Sequence, residues 1–277
     1  MSAFSQQWLQ LRESADHRSR SSFDEALPAL SNDHWHIIDL GCGTGSNFRY
    51  LSALLSGAQH WVCLDHDDDL LQALVETTQS DRNKSVVTMQ AELSADIAAV
   101  LERACADSAP EATLLITASA LLDLVSTTWL DALIGACSQL HATALFALNY
   151  DGQMELSPAH ADDGRVRNLI DEHQHTDKGF GRALGPDATR YARAAFESRG
   201  YRVLEAASDW QLDSNDAELQ RELLAGWFAA ASEQAGDPTE LRAWYEHRTI
   251  RIDSGQLLMR VGHRDLLALP PSTPAAA

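Results

Sequence analysis

The sequence predicts a doubly wound α/β fold, a mostly parallel sheet with helices on both faces. Two features predict it. From residue 35 onward, short uninterrupted apolar runs alternate with longer amphipathic segments, and continuous apolar strands of that kind belong to parallel sheets covered on both sides. A glycine-rich turn, DLGCGTG at 39–45, follows the first run directly, at the strand-to-helix junction where such sheets take up ligands. A chain of 277 residues with 45% hydrophobic content is long enough for one large domain with a small annex.

The amino-terminal segment is expected to form a helical cap over residues 1–30. Phe4, Trp8, Leu11, Phe23, Leu27 and Leu30 give it an apolar side, RESADHRSRS a polar middle, and Pro28 a break. The main domain, 31–270, then runs WHIIDL, FRYLSALL, HWVCLD, DLLQALVETT, SVVTMQ, ADIAAVLERAC, ATLLITAS, TTWLDALIGACSQL and ATALFALNY, alternately strand and helix. Regularity breaks after Asn149-Tyr150. Residues 151–185 are polar and rich in Gly and His, with a helix expected around 162–175, and a second substrate-side insertion is expected near 213–250. Between them come a helix near 187–199 and a strand at YRVLEAAS; helices at 215–235 and 238–248 precede a last strand at QLLMRVGHRDLL. Residues 271–277 are expected to form a disordered tail.

Composition narrows the function. With 40 acidic against 21 basic residues and a net charge of −19, the surface repels polyphosphate backbones, so nucleic acid is a poor partner. No apolar run reaches the length of a membrane span, and MSAFSQQWLQLRES has neither a basic start nor an apolar core with a small-residue cleavage site, so neither export nor a membrane span is expected. Cys42, Cys63, Cys105 and Cys137 are scattered without metal-ligand spacing, which suits a reducing, cytoplasmic setting.

The glycine turn excludes two ligand classes. A dinucleotide fingerprint requires a glycine at 46, where Ser46 stands, and a phosphate loop requires a lysine that neither Lys84 nor Lys178 supplies. Asp39, just before the glycines, would repel a pyrophosphate and pair with an ammonium. Asp65 ends the next strand, where an acid accepts both hydroxyl protons of a ribose. The ligand has a ribose and a cationic group and no phosphate.

At this point the sequence resembles the class I S-adenosylmethionine-dependent methyltransferases, through DLGCGTG, Asp65 and the alternating segments from about 35 to 265. The resemblance implies a Rossmann-like sheet of seven strands with the last antiparallel, S-adenosyl-L-methionine as cofactor, and a small-molecule acceptor methylated on O or N. It places Gly41 and Gly43 near the cofactor's amino-acid end, with Asp39 acting through water or the turn's amides. Cys42, Gly45 and His66 adjoin these positions. Glu92 matches the family's adenine-side acid by type, with Gln90 or Leu93 as alternatives, and Thr117, Ala118 and Ser119 fall beside the sulfonium. Asp123 either faces the pocket or caps a helix. A further similarity, to a group of bacterial small-molecule methyltransferase-like proteins, lies in WLQLRESADHRSR, SALLDLVS and HQHTDKGFG.

On the acceptor side, Asn149 and Tyr150 end the fifth strand, and His173, His175, Asp177, Lys178 and Phe180 lie in DEHQHTDKGFG. His173 is the candidate proton acceptor, because imidazole titrates near neutrality, and Tyr150 the second catalytic candidate. Asn149, Asp177, Lys178 and Phe180 are candidate substrate contacts. A metal at His173 and His175 lacks a second anchor, so none is expected. Arg12 and Asp16, one turn apart, are candidates for closing a lid, and His263 and Arg264 for bracing the sheet. The competing class of function is a non-catalytic adenosylmethionine- or adenosylhomocysteine-binding subunit or sensor.

Overall fold

The computed structural model describes residues 5–20, 23, 33–78 and 81–271. Helix α1 (Gln6–Ser19) begins at Ser5, whose hydroxyl caps it by accepting the Trp8 amide at 3.1 Å. Beyond Arg20, Phe23 alone of the expected cap 1–30 is described. Residues 24–32, with Pro28, and the tail from 272 lie outside the described residues.

The sheet is built in the order β3-β2-β1-β4-β5-β8-β6. Strands β1 (His34–Leu40), β2 (Ala58–Asp65), β3 (Lys84–Gln90), β4 (Thr113–Ser119) and β5 (Thr143–Ser157) are parallel, and β8 (Leu258–Leu269) runs antiparallel to β5. The chain winds outward from β1 to β3 and returns through β4, so the switch point lies between β1 and β4. The expected last antiparallel strand is β8. The sixth strand is divided: β6 (Arg202–Ala207) and β7 (Trp210–Leu212) pair with successive stretches of β8 and are separated by Ser208-Asp209. Among the described residues the sheet therefore has eight strands in seven positions.

β5 also continues to Ser157, where the sequence suggested that a polar excursion had begun. Met154 and Leu156 are buried between the more accessible Gln153, Glu155 and Ser157, a period-two pattern of a half-buried strand that the polar residues obscure. Its register against β8 shifts between Phe146 and Asn149 and again between Tyr150 and Met154, so the two strands bend together past the end of the parallel sheet.

Alternate residues of the central strands feed two cores. Ile38, Leu40, Ile116, Ala118 and Phe146 pack against α4 (Ile97–Ala104), α5 (Thr127–Gln139) and α7 (Ala188–Glu197). Trp35, Ile37, Trp61, Leu115 and Leu145 pack against α2 (Ser46–Leu54) and α3 (Asp68–Thr77). A third core joins the extensions of β5 and β8 to α6 (Asp163–Gln174), α8 (Ala217–Ala235) and α9 (Thr239–Asp253). There the fully buried Arg248 pairs with Asp163 and donates from Nη1 to the Pro158 carbonyl at 2.6 Å. No described helix is long and apolar enough to cross a membrane.

Candidate functional site

β1 delivers Asp39 to the switch point, and the chain then turns through Gly41, Gly43 and Gly45 at φ 65°, 52° and 85°. An L side chain in this left-handed region costs about 1–2 kcal/mol, which is why glycine alternates here. The turn is tied to β2. The Cys42 amide donates to the Leu64 carbonyl at 2.9 Å, and Asp65 Oδ2 accepts the Gly43 amide at 2.9 Å. Asp65 Oδ1 accepts the Asp67 amide at 3.1 Å and lies 3.1 Å from His66 Nδ1. Asp65 is buried, and its Oδ2 retains a lone pair beyond the Gly43 contact. Cys42 is buried as well, and burial together with Cys63 pushes its thiol up.

Asp39 is 1% exposed. Its Oδ1 accepts from Asn47 Nδ2 at 2.7 Å, and the same amide nitrogen donates to Thr117 Oγ1 at 3.2 Å. Asn47 Oδ1 in turn accepts from Arg20 Nη1 at 2.7 Å. Asp39 Oδ2 has no hydrogen-bond partner among the described residues. Burial pushes this carboxyl up to about 7, against the lowering effects of the Asn47 hydrogen bond and the Arg20 charge.

Helix α1 closes over the turn. A Cβ at Gly43 would lie 2.9 Å from Leu9 Cδ1. The two Glu13 carboxylate oxygens accept from Arg49 Nε and Nη2 at 2.7 and 2.6 Å, Arg49 Nη1 donates to the Thr44 carbonyl at 2.6 Å, and His17 Nε2 lies 3.1 Å from Ser46 Oγ. Sequence reasoning singled out none of Leu9, Glu13, Arg20, Asn47 and Arg49. For Asn47 a signal existed: a polar residue beside Phe48 on the first buried turn after the glycines. For Arg20 none did, because its partner lies 27 residues away.

Leu93 and Leu121 converge on Gly41, each with a methyl 3.9 Å from where a Cβ would stand. Glu92 is exposed and turned back on its own loop, where Oε1 accepts the Ser94 hydroxyl at 2.8 Å. Gln90 donates to the His66 carbonyl at 3.1 Å. Thr117 and Ala118 are buried at the end of β4 and Ser119 is half-buried. Ala120 follows at φ 54°, a strained conformation for a residue with a Cβ.

The acceptor-side residues divide. Asn149 is consumed by the fold: Oδ1 accepts the Leu122 amide at 3.3 Å, and Nδ2 donates to the Phe146 and Arg264 carbonyls at 3.1 and 3.0 Å. Tyr150 donates its hydroxyl to Asp171 at 3.2 Å, and burial followed by the Asp171 charge pushes the phenol well above its ordinary range. His173, half-buried at the end of α6, accepts from Lys178 Nζ at Nδ1 and donates from Nε2 to Glu233, both at 3.1 Å. Burial and the Lys178 charge lower its pKa and favour the neutral imidazole, and its two partners set the tautomer. Asp177 is exposed and shapes its loop by accepting the Gly179 and Gly181 amides at 2.7 and 3.0 Å. Phe180 packs edge-on against Trp129 at 5.4 Å. Among the described residues, no group of three or more His, Cys, Asp or Glu side chains is arranged to hold a metal ion.

No protein-family model matches the chain, and no curated protein does. Solved structures do. The chain is similar to the YcgJ protein of Bacillus subtilis, with a TM-score of 0.51 at 10% identity over 92% of this chain and 100% of that one. The cyclopropane synthase MmaA2 of Mycobacterium tuberculosis aligns with a TM-score of 0.48 at 12% identity, covering 96% and 94%. A putative methyltransferase of Bacillus halodurans gives 0.44 at 12%, covering 90% and 97%. At these identities the likeness is one of fold, a Rossmann-like, mostly parallel sheet with antiparallel last strands and flanking helices.

Proposed function

We propose that this chain is a class I S-adenosylmethionine-dependent methyltransferase that methylates an O or N atom of a small molecule by in-line displacement. The observation that carries the reading is the direct bond between Asp65 and the Gly43 amide, which couples a ribose-side acid to a glycine turn lacking any phosphate-binding lysine.

The residues present fit the cofactor. Asp39 Oδ2, buried without a partner, suits a hydrogen-bond donor brought by the ligand's ammonium end or by a water it orders. Asp65 Oδ2 has a lone pair for a ribose hydroxyl, Leu93 and Leu121 offer an apolar wall, and Gly41 and Gly43 leave the main chain open to approach. When bound, the cofactor supplies an electrophilic methyl group on a sulfonium that leaves as a neutral thioether. The protein's own work is to align the acceptor and to exclude water. Helix α1 serves the second task through Leu9 and the Glu13–Arg49 pair. In this reading residues 1–30 form the cap, 151–185 and 213–250 supply the acceptor side, and WLQLRESADHRSR, SALLDLVS and HQHTDKGFG support the narrower bacterial small-molecule group. The scattered thiols suit a cytoplasmic enzyme.

The test is incubation with methyl-labelled S-adenosylmethionine and pools of small phenols, amines and carboxylates. Label recovered in one pool supports the enzyme. Cofactor binding with no transfer to any pool would favour a non-catalytic binder or sensor instead.

A further inference from the structure

Three buried polar atoms without a partner among the described residues cluster away from Asp39: Trp8 Nε1, Asp123 Oδ1 and His263 Nδ1. They surround Arg12. Its guanidinium lies 6.0 Å from the Trp8 ring and 5.0 Å from that of Trp210, and the Trp210 ring lies 4.9 Å from His263. His263 stands opposite Tyr150 across the β5–β8 ladder, with ring centroids 6.5 Å apart, and the Leu122 amide donates to Asn149 Oδ1 at 3.3 Å, which holds the turn carrying Asp123 against β5 next to Tyr150. Asp123 sits two residues beyond Leu121, whose methyl approaches Gly41, so the cluster adjoins the turn assigned to the cofactor. Asp123 and His263 are both more than nine-tenths buried. Unsatisfied buried polar atoms are uncommon, and three grouped near one cation call for a ligand or ordered water.

We propose that these atoms line one seat for the methyl acceptor, a small neutral aromatic molecule carrying an acidic O–H or ring N–H, and that Asp123 takes its proton. The inference rests on the methyl-transfer reading above. Neutrality follows from the charges: Arg12 is held by Asp16 at 2.9 and 3.2 Å, and Lys178 faces Glu233 as well as Asp123. An anionic acceptor would meet the Asp123 carboxylate with no unpaired cation beside it. The rings of Trp8, Trp210, Tyr150 and His263 favour an aromatic body. Trp8 Nε1–H supplies the donor, and Asp123 Oδ1 the acceptor, for one polar edge. As the acceptor's heteroatom bonds to the methyl carbon, its own bond to hydrogen breaks and the proton passes to Asp123. The electron pair of the broken methyl–sulfur bond stays on sulfur, and solvent recovers the proton after release.

The groups facing Asp123 are Arg12 from α1, Tyr150 from β5 and Lys178 from the loop after α6; His263 of β8 faces Arg12. Burial, opposed by Arg12 and Lys178, holds the Asp123 carboxyl up to about 6, a suitable range for a base near neutrality. His263, which burial and then Arg12 hold down to about 3, is left as a hydrogen-bond acceptor. His173 is engaged by Glu233 and Lys178.

The experiment titrates the full chain, saturated with S-adenosylhomocysteine, with 4-nitrophenol and with 4-nitrobenzoate at about pH 6, following tryptophan fluorescence. Binding of the phenol at least about tenfold tighter than the benzoate, and a further loss of about tenfold or more in Asp123→Asn, are expected. Label transfer to 4-nitrophenol should lose the acidic limb of its kcat/KM profile in Asp123→Asn and keep it in His173→Ala. Should Asp123→Asn not fold, Trp8→Phe keeps an aromatic ring, removes the donor, and is expected to weaken the phenol by about tenfold. Equal binding of the two probes, phenol binding indifferent to Asp123 and Trp8, or an acidic limb lost only in His173→Ala would overturn the proposal. Calorimetry on the same sample separates the two claims. Absence of S-adenosylhomocysteine binding sinks the methyl-transfer reading and the proton transfer with it, whereas phenol binding that still requires Asp123 supports the seat.

Discussion

Asp39→Asn is expected to change how stability depends on pH while weakening the cofactor. In the folded chain burial raises this carboxyl from 3.8 to about 7. Between those values the folded state holds a proton that the unfolded state has lost, so stability falls as pH rises through the window. Below it both states are protonated and the cost is absent; above about 7 the cost is complete. At about 1.36 kcal/mol per pKa unit it reaches at most about 4 kcal/mol. Asparagine is neutral throughout and can accept the Asn47 amide as Asp39 Oδ1 does at 2.7 Å. Its amide nitrogen replaces the partnerless Oδ2, and an unpaired donor there subtracts about 1–3 kcal/mol at every pH. The constant offset cancels in the comparison across pH. Urea denaturation of ligand-free parent and variant, followed by circular dichroism, should therefore show the variant gaining about 4 kcal/mol on the parent between about pH 4 and pH 8. At about pH 8, where the parent carboxyl is ionised, the variant's affinity for S-adenosylmethionine should be about 10- to 100-fold lower, from loss of the charged acceptor. Parallel stability profiles for the two proteins would refute the assignment to Asp39 of a carboxyl whose pKa burial has raised.

Asp65→Asn can satisfy only one of the Gly43 and Asp67 amides, so calorimetry should show S-adenosylmethionine bound about 10- to 100-fold more weakly by a folded protein; equal affinity would remove Asp65 from the site. Arg49→Met releases the Glu13 clamp on α1, a partly exposed pair whose loss should change stability by no more than about 1 kcal/mol. Stopped-flow dissociation of the cofactor should nevertheless be several-fold faster, and an unchanged rate would mean that α1 does not close the site. Asp163→Asn leaves the fully buried Arg248 without its counter-charge and should cost about 3–5 kcal/mol in denaturant unfolding; a loss below about 1 kcal/mol would contradict the buried pair.

The winding of the sheet was legible because buried parallel strands leave continuous apolar runs and the glycine turn marks where the first one ends. The extension of β5 was hidden by Asp151, Gln153 and Glu155, which make a half-buried strand look like a loop. The split between β6 and β7 depends on Asp209, whose carboxylate accepts the His263 amide at 3.1 Å, a long-range contact with no local signature. Asp39 and Asp65 stood out because motif and strand end coincide. Asn47 and Arg20 did not, since their importance comes from a network that closes only when α1 folds back onto α2. Among acceptor-side candidates, His173 and Asp177 attracted notice by residue type. Asp123 could be placed only in three dimensions, where burial beside Arg12 sets its chemistry.

The most direct test of the central claim is isothermal titration of the purified protein with S-adenosylmethionine, with NAD in a parallel cell. Binding of S-adenosylmethionine alone, at micromolar or tighter affinity on the order of that expected for a cofactor site, is the expected result. Binding of NAD in its place, or of neither ligand by a folded sample, would contradict it.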